Sequence, residues 1–167
     1  MRGELKQRCI KILHVDDEPD FLALTKAFLE RECANFSVDT ATSVEEGIEM
    51  LKSGKYDVVV SDYQMPGMDG LDFLRNLQQN GSAIAFIIFT GREEVVTEAL
   101  NRGANGYLQK GGDITSMYGT LAHVIEKGIK QVEKGKKLAE PKRERRRVLH
   151  SVPTMISYRQ RKAIPAM

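Results

Sequence analysis

No run of about 18 apolar residues occurs in this chain, so nothing in it reads as a membrane-spanning helix. The opening residues, Met1-Arg2-Gly3-Glu4-Leu5-Lys6, mix charges and lack the apolar stretch of a secretory signal. Together these two absences place the chain in the cytoplasm as an expectation. Cysteine is scarce: Cys9 and Cys33 are the whole supply. They match no metal-ligand spacing and read as free thiols of a reducing compartment. Tryptophan is missing, and the histidines, His14, His123 and His150, are scattered. His14 falls inside an apolar run, where a hydrogen-bonded structural imidazole is expected. There is no internal repeat.

What the sequence does have is alternation. Short apolar runs at 10–15, 36–40, 57–62, 84–89 and 105–108 read as strands, separated by helical patterns at 19–32, 43–53, 69–79, 92–102 and 113–133. The runs at 57–62 and 84–89 are almost wholly apolar, as strands covered on both faces are. The run at 36–40 alternates and reads as an edge. Pro19 suits a first helical turn, and Ser43-Val44-Glu45-Glu46 has the pattern of a capping box. Gly54, Gly81 and Gly103 stand where helices should stop. Five strand–helix units in strict succession predict an α/β fold: a five-stranded parallel sheet with helices on both faces.

Charge divides the chain. Residues 134–167 hold 11 Lys/Arg against 2 Glu, whereas residues 1–133 hold 14 basic and 21 acidic side chains. An acidic globular part at 8–133 therefore follows a short extension at 1–7 and precedes a basic tail at 134–167. Gly135 and Pro141, Pro153 and Pro165 break the tail's pattern, and it is expected to be disordered. Its charge could engage nucleic acid, anionic lipid or the acidic domain itself. Only Tyr158 accompanies the basic run, so sequence-specific readout of nucleic acid is not expected.

The chemistry lies at the strand ends. Asp16 and Asp17 follow the first strand directly, and Asp62 follows the third. In a parallel sheet the C-terminal ends share one edge, and ligands bind in the crevice outside it. At about 4 Å and an effective dielectric of 20, each carboxylate pair repels by roughly 4 kcal/mol. Such a trio requires a cation, and hard oxygen donors suit Mg²⁺. Thr90 follows the fourth strand and Lys110 the fifth, so the same rule brings a hydroxyl and an ammonium into the crevice. The loop Tyr63-Gln64-Met65-Pro66-Gly67-Met68-Asp69-Gly70 turns sharply and can present a backbone carbonyl. The set fits a phosphoryl group on a carboxylate, with Asp62 as nucleophile and Thr90 and Lys110 on the phosphoryl oxygens.

Four segments taken together resemble the receiver domain of two-component response regulators. They are Val15-Asp16-Asp17-Glu18-Pro19, Asp62 through Gly70, Thr90-Gly91, and Gly103 through Lys110. The likeness covers about residues 8–130 and implies a flavodoxin-like (βα)₅ fold with strand order 2-1-3-4-5. It implies Asp62 as phosphoacceptor, charged by a sensor histidine kinase. It also implies Mg²⁺ held by Asp16 (through water), Asp17, Asp62 and the Gln64 carbonyl. Thr90 and Tyr107 would form the switch pair, and Gln64 and Arg92 would tune dephosphorylation. The surface of 92–102, 105–108 and 113–133 would meet a downstream protein or a second copy. Such a domain is a signalling phosphoacceptor rather than an enzyme acting on external substrates. Two departures stand out. Gly111 replaces the family's usual proline after the lysine, removing the main support for a cis bond, and Gly91 replaces a frequent alanine.

Two rival readings follow from the same residues. A Mg²⁺-dependent phosphohydrolase with an aspartyl-phosphate intermediate would want an acid two residues after Asp62, where Gln64 stands. A DNA-binding regulator would have to act through the basic tail alone.

Overall fold

The structure is a computed structural model that describes residues 7–150, with side chains as far as Lys137. Its strands are β1 (Ile10–Val15), β2 (Phe36–Ala41), β3 (Val58–Ser61), β4 (Ala85–Thr90) and β5 (Gly106–Gln109). Between them run α1 (Pro19–Glu32), α2 (Val44–Ser53), α3 (Gly70–Gln79) and α4 (Val96–Asn101), and α5 (Ile114–His150) follows the last strand. All pairings are parallel and the order is β2-β1-β3-β4-β5. The alternating strand is an edge, and the two apolar runs lie inside, with every residue of β3 and β4 buried.

The period of two in a strand sends neighbouring side chains to opposite faces. Leu13, Val15, Val59, Phe86 and Ile88 pack with Val44 of α2, Phe73 and Leu74 of α3 and Ala99 of α4. Ile12, Val58, Val60, Ile87 and Phe89 pack with Leu29 of α1 and with Tyr118, Leu121 and Ile125 of α5. Helices thus cover both faces.

Local signals explain most boundaries. Pro19 opens α1, as its fixed φ favours. Ser43 caps α2 by accepting from the Glu46 amide at 3.1 Å. The return half of that expected box goes elsewhere: Glu46 bonds the amide and hydroxyl of Thr42. A reciprocal box forms instead at Asp69 and Asp72, at the head of α3. The segment expected to be one helix at 92–102 begins as a 3₁₀ turn, Glu93–Val95. Its N-cap Arg92 makes no side-chain cap bond, and an uncapped start is commonly satisfied by tighter i to i+3 bonds.

The larger departure is at the C-terminal end. A compact unit ends at Val132 and a second begins at Glu133. The backbone from 134 was expected to be disordered, yet α5 continues to His150. Nucleation is the costly step of a helix, and the packed turns from Ile114 supply it. Lys, Leu, Ala, Glu and Arg around Gly135 and Pro141 then favour its continuation, against the cost of those two residues. The rest of the expected tail, 151–167, and the N-terminal 1–6 lie outside the described residues.

Candidate functional site

Sheet register builds the site. Val15 pairs with Ser61, and the Asp62 amide donates to the Val15 carbonyl at 2.9 Å, so Asp16 and Asp62 emerge side by side. Thr90 pairs with Gln109, and the Lys110 amide donates to the Thr90 carbonyl at 2.8 Å. Asp16, Asp17, Asp62, Thr90 and Lys110 therefore meet at one edge, as the edge rule predicts.

One carboxylate oxygen from each of Asp16, Asp17 and Asp62 lies within 4.8 Å of the others. Asp16 is fully buried, Asp62 is 8% exposed and Asp17 is exposed. The trio does not wait for a metal to gain a counter-charge. The Lys110 ammonium donates to Asp16 Oδ2 at 2.6 Å and to Asp62 Oδ2 at 3.2 Å. Asp16 Oδ1 accepts from the Glu18 amide at 3.0 Å, and Asp62 Oδ1 from the Tyr63 amide at 2.7 Å.

The titration of these groups follows from burial set against pairing. Burial pushes the Asp16 carboxyl up, and the bonds from Lys110 and the Glu18 amide reduce the rise without cancelling it. For Lys110, burial works against the charge, but the hydrogen bond and charge of Asp16, then Asp62, outweigh it and hold the ammonium above its ordinary value. Lys110 is thus a standing cation beside Asp62.

A cleft of about 570 Å³ opens over these groups, lined by Asp17, Asp62, Gln64, Thr90, Arg92 and Lys110 among others. Three oxygen donors at close quarters beside an open cleft fit a hard divalent cation, with room for waters and an anion. Gln64 is exposed in the loop after Asp62, while Met65 is buried and anchors it. At the loop's far end, Gly70 lies so close that a Cβ there would sit 2.4 Å from the Asp62 carbonyl oxygen. Only glycine lets the head of α3 approach the site backbone so closely.

Thr90 is buried, and its hydroxyl oxygen accepts from the Arg92 amide at 3.3 Å, leaving its own proton to donate. Tyr107 pairs with Ile88, two residues before Thr90 on the neighbouring strand. Its ring packs partly buried against the face of α2 to α4, and its hydroxyl is enclosed without a partner. Burial first, and then the Glu93 charge, raises its pKa. The Lys110–Gly111 peptide is not cis, nor is any other among the described residues.

His14 departs from expectation. It is fully buried, but neither ring nitrogen has a hydrogen-bond partner. Burial, and then the Lys110 charge, lowers its pKa to about 3, so the imidazole is neutral. Its neighbours are Phe21 and Phe89, with ring centroids 6.0 and 6.1 Å away. Sequence reasoning missed this aromatic group beneath Lys110. The one signal was His14 itself, a polar residue inside an apolar strand. Cys9 and Cys33 are free thiols, as expected.

Comparison with known proteins agrees with the geometry. Residues 12–122 match the model of the response regulator receiver domain. The chemotaxis protein CheY-3 of Vibrio cholerae is 30% identical over 122 residues, covering 71% of this chain and 93% of that protein. The nitrate/nitrite response regulator protein NarL of Escherichia coli is 37% identical over 102 residues, 59% of this chain. The chain spans about half of NarL, with 47% of that protein covered. Among solved structures, a response regulator receiver domain protein from Clostridium thermocellum superposes with a TM-score of 0.65 at 32% identity, over 78% of this chain and 98% of that one. The response regulator TrrA from Thermotoga maritima, solved in complex with Mg(2+)-BeF, superposes with a TM-score of 0.60 at 28% identity, over 69% and 98%.

Proposed function

Since this chain belongs to the response regulator receiver domain family of two-component signalling, we propose that Asp62 is its phosphoacceptor and that Asp17, Asp62 and the Gln64 carbonyl hold Mg²⁺. Asp16, whose two oxygens already accept bonds, would support the metal through water. The observation that carries this reading is the meeting of three carboxylates within 4.8 Å, with Lys110 bridging two of them at the floor of an open cleft. When bound, the metal screens the incoming phosphoryl oxygens from the carboxylates.

The chain's own residues do the rest. Tyr63 fixes the Asp62 carboxylate through its amide, so the nucleophile faces the cleft already oriented. A new bond forms between an Asp62 oxygen and phosphorus, and the phosphorus–nitrogen bond of a kinase phosphohistidine breaks. The bonding pair leaves with the imidazole nitrogen. Asp62 attacks as the carboxylate, so it has no proton to lose. Lys110 and the Thr90 hydroxyl donate to the transferred oxygens. Thr90 closing on the phosphoryl group vacates space toward Tyr107, whose unpartnered hydroxyl leaves its ring free to settle inward. The surface of α4, β5 and the first turns of α5 then changes for a downstream protein or a second copy. Phosphorylation biases this two-state element rather than creating it. Gln64 and Arg92, at the rim of the cleft, set access for water and so the lifetime of the phosphate.

Incubation with a small acyl phosphate and Mg²⁺, followed by intact mass, tests this. Wild type should gain one phosphoryl group. Asp62→Asn, and wild type in excess chelator, should gain none. Labelling of either would overturn the assignment.

A further inference from the structure

The Lys110 side chain is held by more than its two carboxylates. An ammonium has three N–H donors. Two are accounted for by Asp16 and Asp62. On another side of the ammonium lies the Phe21 ring, its centroid 4.4 Å from Nζ, with Phe89 at 5.9 Å. Both lie within cation–π reach, Phe21 well inside it. The two phenyls contact each other with centroids 5.4 Å apart, and the His14 ring packs against both. A buried imidazole with no hydrogen bond is a cost. What it supplies here is a flat ring wedged behind the pair.

The backbone after Lys110 is held by one amide contact, from Gly111 to the Met117 sulfur at 3.3 Å. Gly111 and Gly112 have φ of +129° and +78°, and a Cβ at either would meet nothing within 4 Å. A lysine head on a flexible four-carbon stem beside such a loop is placed by what it touches.

We propose that Phe21, backed by His14 and Phe89, is a positioning residue for phosphoryl transfer. Its ring face holds the Lys110 ammonium against Asp62 before the phosphoryl group arrives. The ammonium can then exchange its Asp16 contact for a phosphoryl oxygen without leaving the ring, so less reorganisation is needed at the moment of transfer. This inference rests on the reading of Asp62 as phosphoacceptor.

The test compares Phe21→Leu, which keeps an apolar side chain without a π face, with Phe21→Tyr, which restores the ring. Two quantities are read: the rate of phosphorylation by a small acyl phosphate at saturating Mg²⁺, and the NMR signal of the Lys110 ammonium protons in ¹⁵N-lysine-labelled protein. Those protons are visible only while shielded from exchange with water. Phe21→Leu should slow phosphorylation by about three- to tenfold and lose the ammonium signal. Phe21→Tyr should stay within about twofold of wild type and keep it. If Phe21→Leu does not fold, Phe21→Met takes its place. A leucine variant as fast as wild type, or a tyrosine variant as slow as leucine, would overturn the inference. Should wild type take no phosphoryl group, the reading of Asp62 fails. The ammonium signal still decides the contact, and its survival in Phe21→Leu would refute the clamp separately.

Discussion

The two faces of the sheet are filled by different kinds of packing. Under α2, α3 and α4 the buried cluster is built from apolar side chains around Phe73 and Phe86, edge to face at 5.6 Å. Under α1 and α5 the apolar layer is interrupted by His14 without partners and by a Thr25–Tyr118 hydroxyl pair at 3.0 Å, and its Phe21 and Phe89 rings lie beneath Lys110. Among the described residues the first face carries one unpartnered buried polar atom, the Tyr107 hydroxyl. The second lies under the charged edge and includes groups that a purely stabilising core would avoid. The lesson is that the site's influence reaches below its first carboxylates, further into the face of α1 and α5 than into the other.

The largest effect should come from the apolar face. Phe73→Ala empties a fully buried site and should cost about 3–5 kcal/mol in urea unfolding. The phosphorylation rate per folded molecule should stay within about twofold of wild type. A tenfold fall in that rate would show that this face also shapes the site and would break the comparison.

Next comes pH. The His14 pKa is about 3 in the folded protein against 6.5 for the free group. Between these values the unfolded chain takes up a proton that the folded chain refuses, so stability falls as pH drops below about 6.5 and this loss levels off near 3. His14→Leu removes the penalty. Relative to wild type, the variant should gain roughly 2–3 kcal/mol at pH 4.5 beyond any difference at pH 8. Equal pH slopes for the two proteins would mean that His14 finds a partner or a proton inside the fold.

The smallest effect concerns the hydroxyl pair. Tyr118→Phe leaves the buried Thr25 hydroxyl unpaired and should cost about 1–2 kcal/mol. Adding Thr25→Val should recover part of that loss, because a buried pair replaced by apolar groups of similar shape is near neutral. Strict additivity of the two changes would contradict a direct bond.

Much of this was legible in the sequence, for physical reasons. A run such as Ala85-Phe86-Ile87-Ile88-Phe89-Thr90 has few alternatives to a central strand, and parallel order forces Asp16, Asp62, Thr90 and Lys110 to one edge. The aromatic group was not legible, because Phe21, Phe89 and Lys110 lie on three elements and no local pattern announces their meeting. The Thr25–Tyr118 bond spans 93 residues. The capping box at Asp69 uses aspartate where the usual pattern has glutamate or glutamine, so it carried a weaker signal than Ser43, where the box is incomplete. The length of α5 was not legible because Gly135 and Pro141 oppose a helix locally, whereas the packed turns before them have already nucleated it.

The central claim is that Asp62 receives the phosphoryl group, and it can be read at residue level. Borohydride reduces an aspartyl phosphate to homoserine, which tandem mass spectrometry places in the sequence. After treatment with acyl phosphate and Mg²⁺, homoserine should be found at position 62 and at none of Asp16, Asp17 or Asp69. Homoserine at another aspartate, or none in a protein that has gained phosphate mass, would contradict the account.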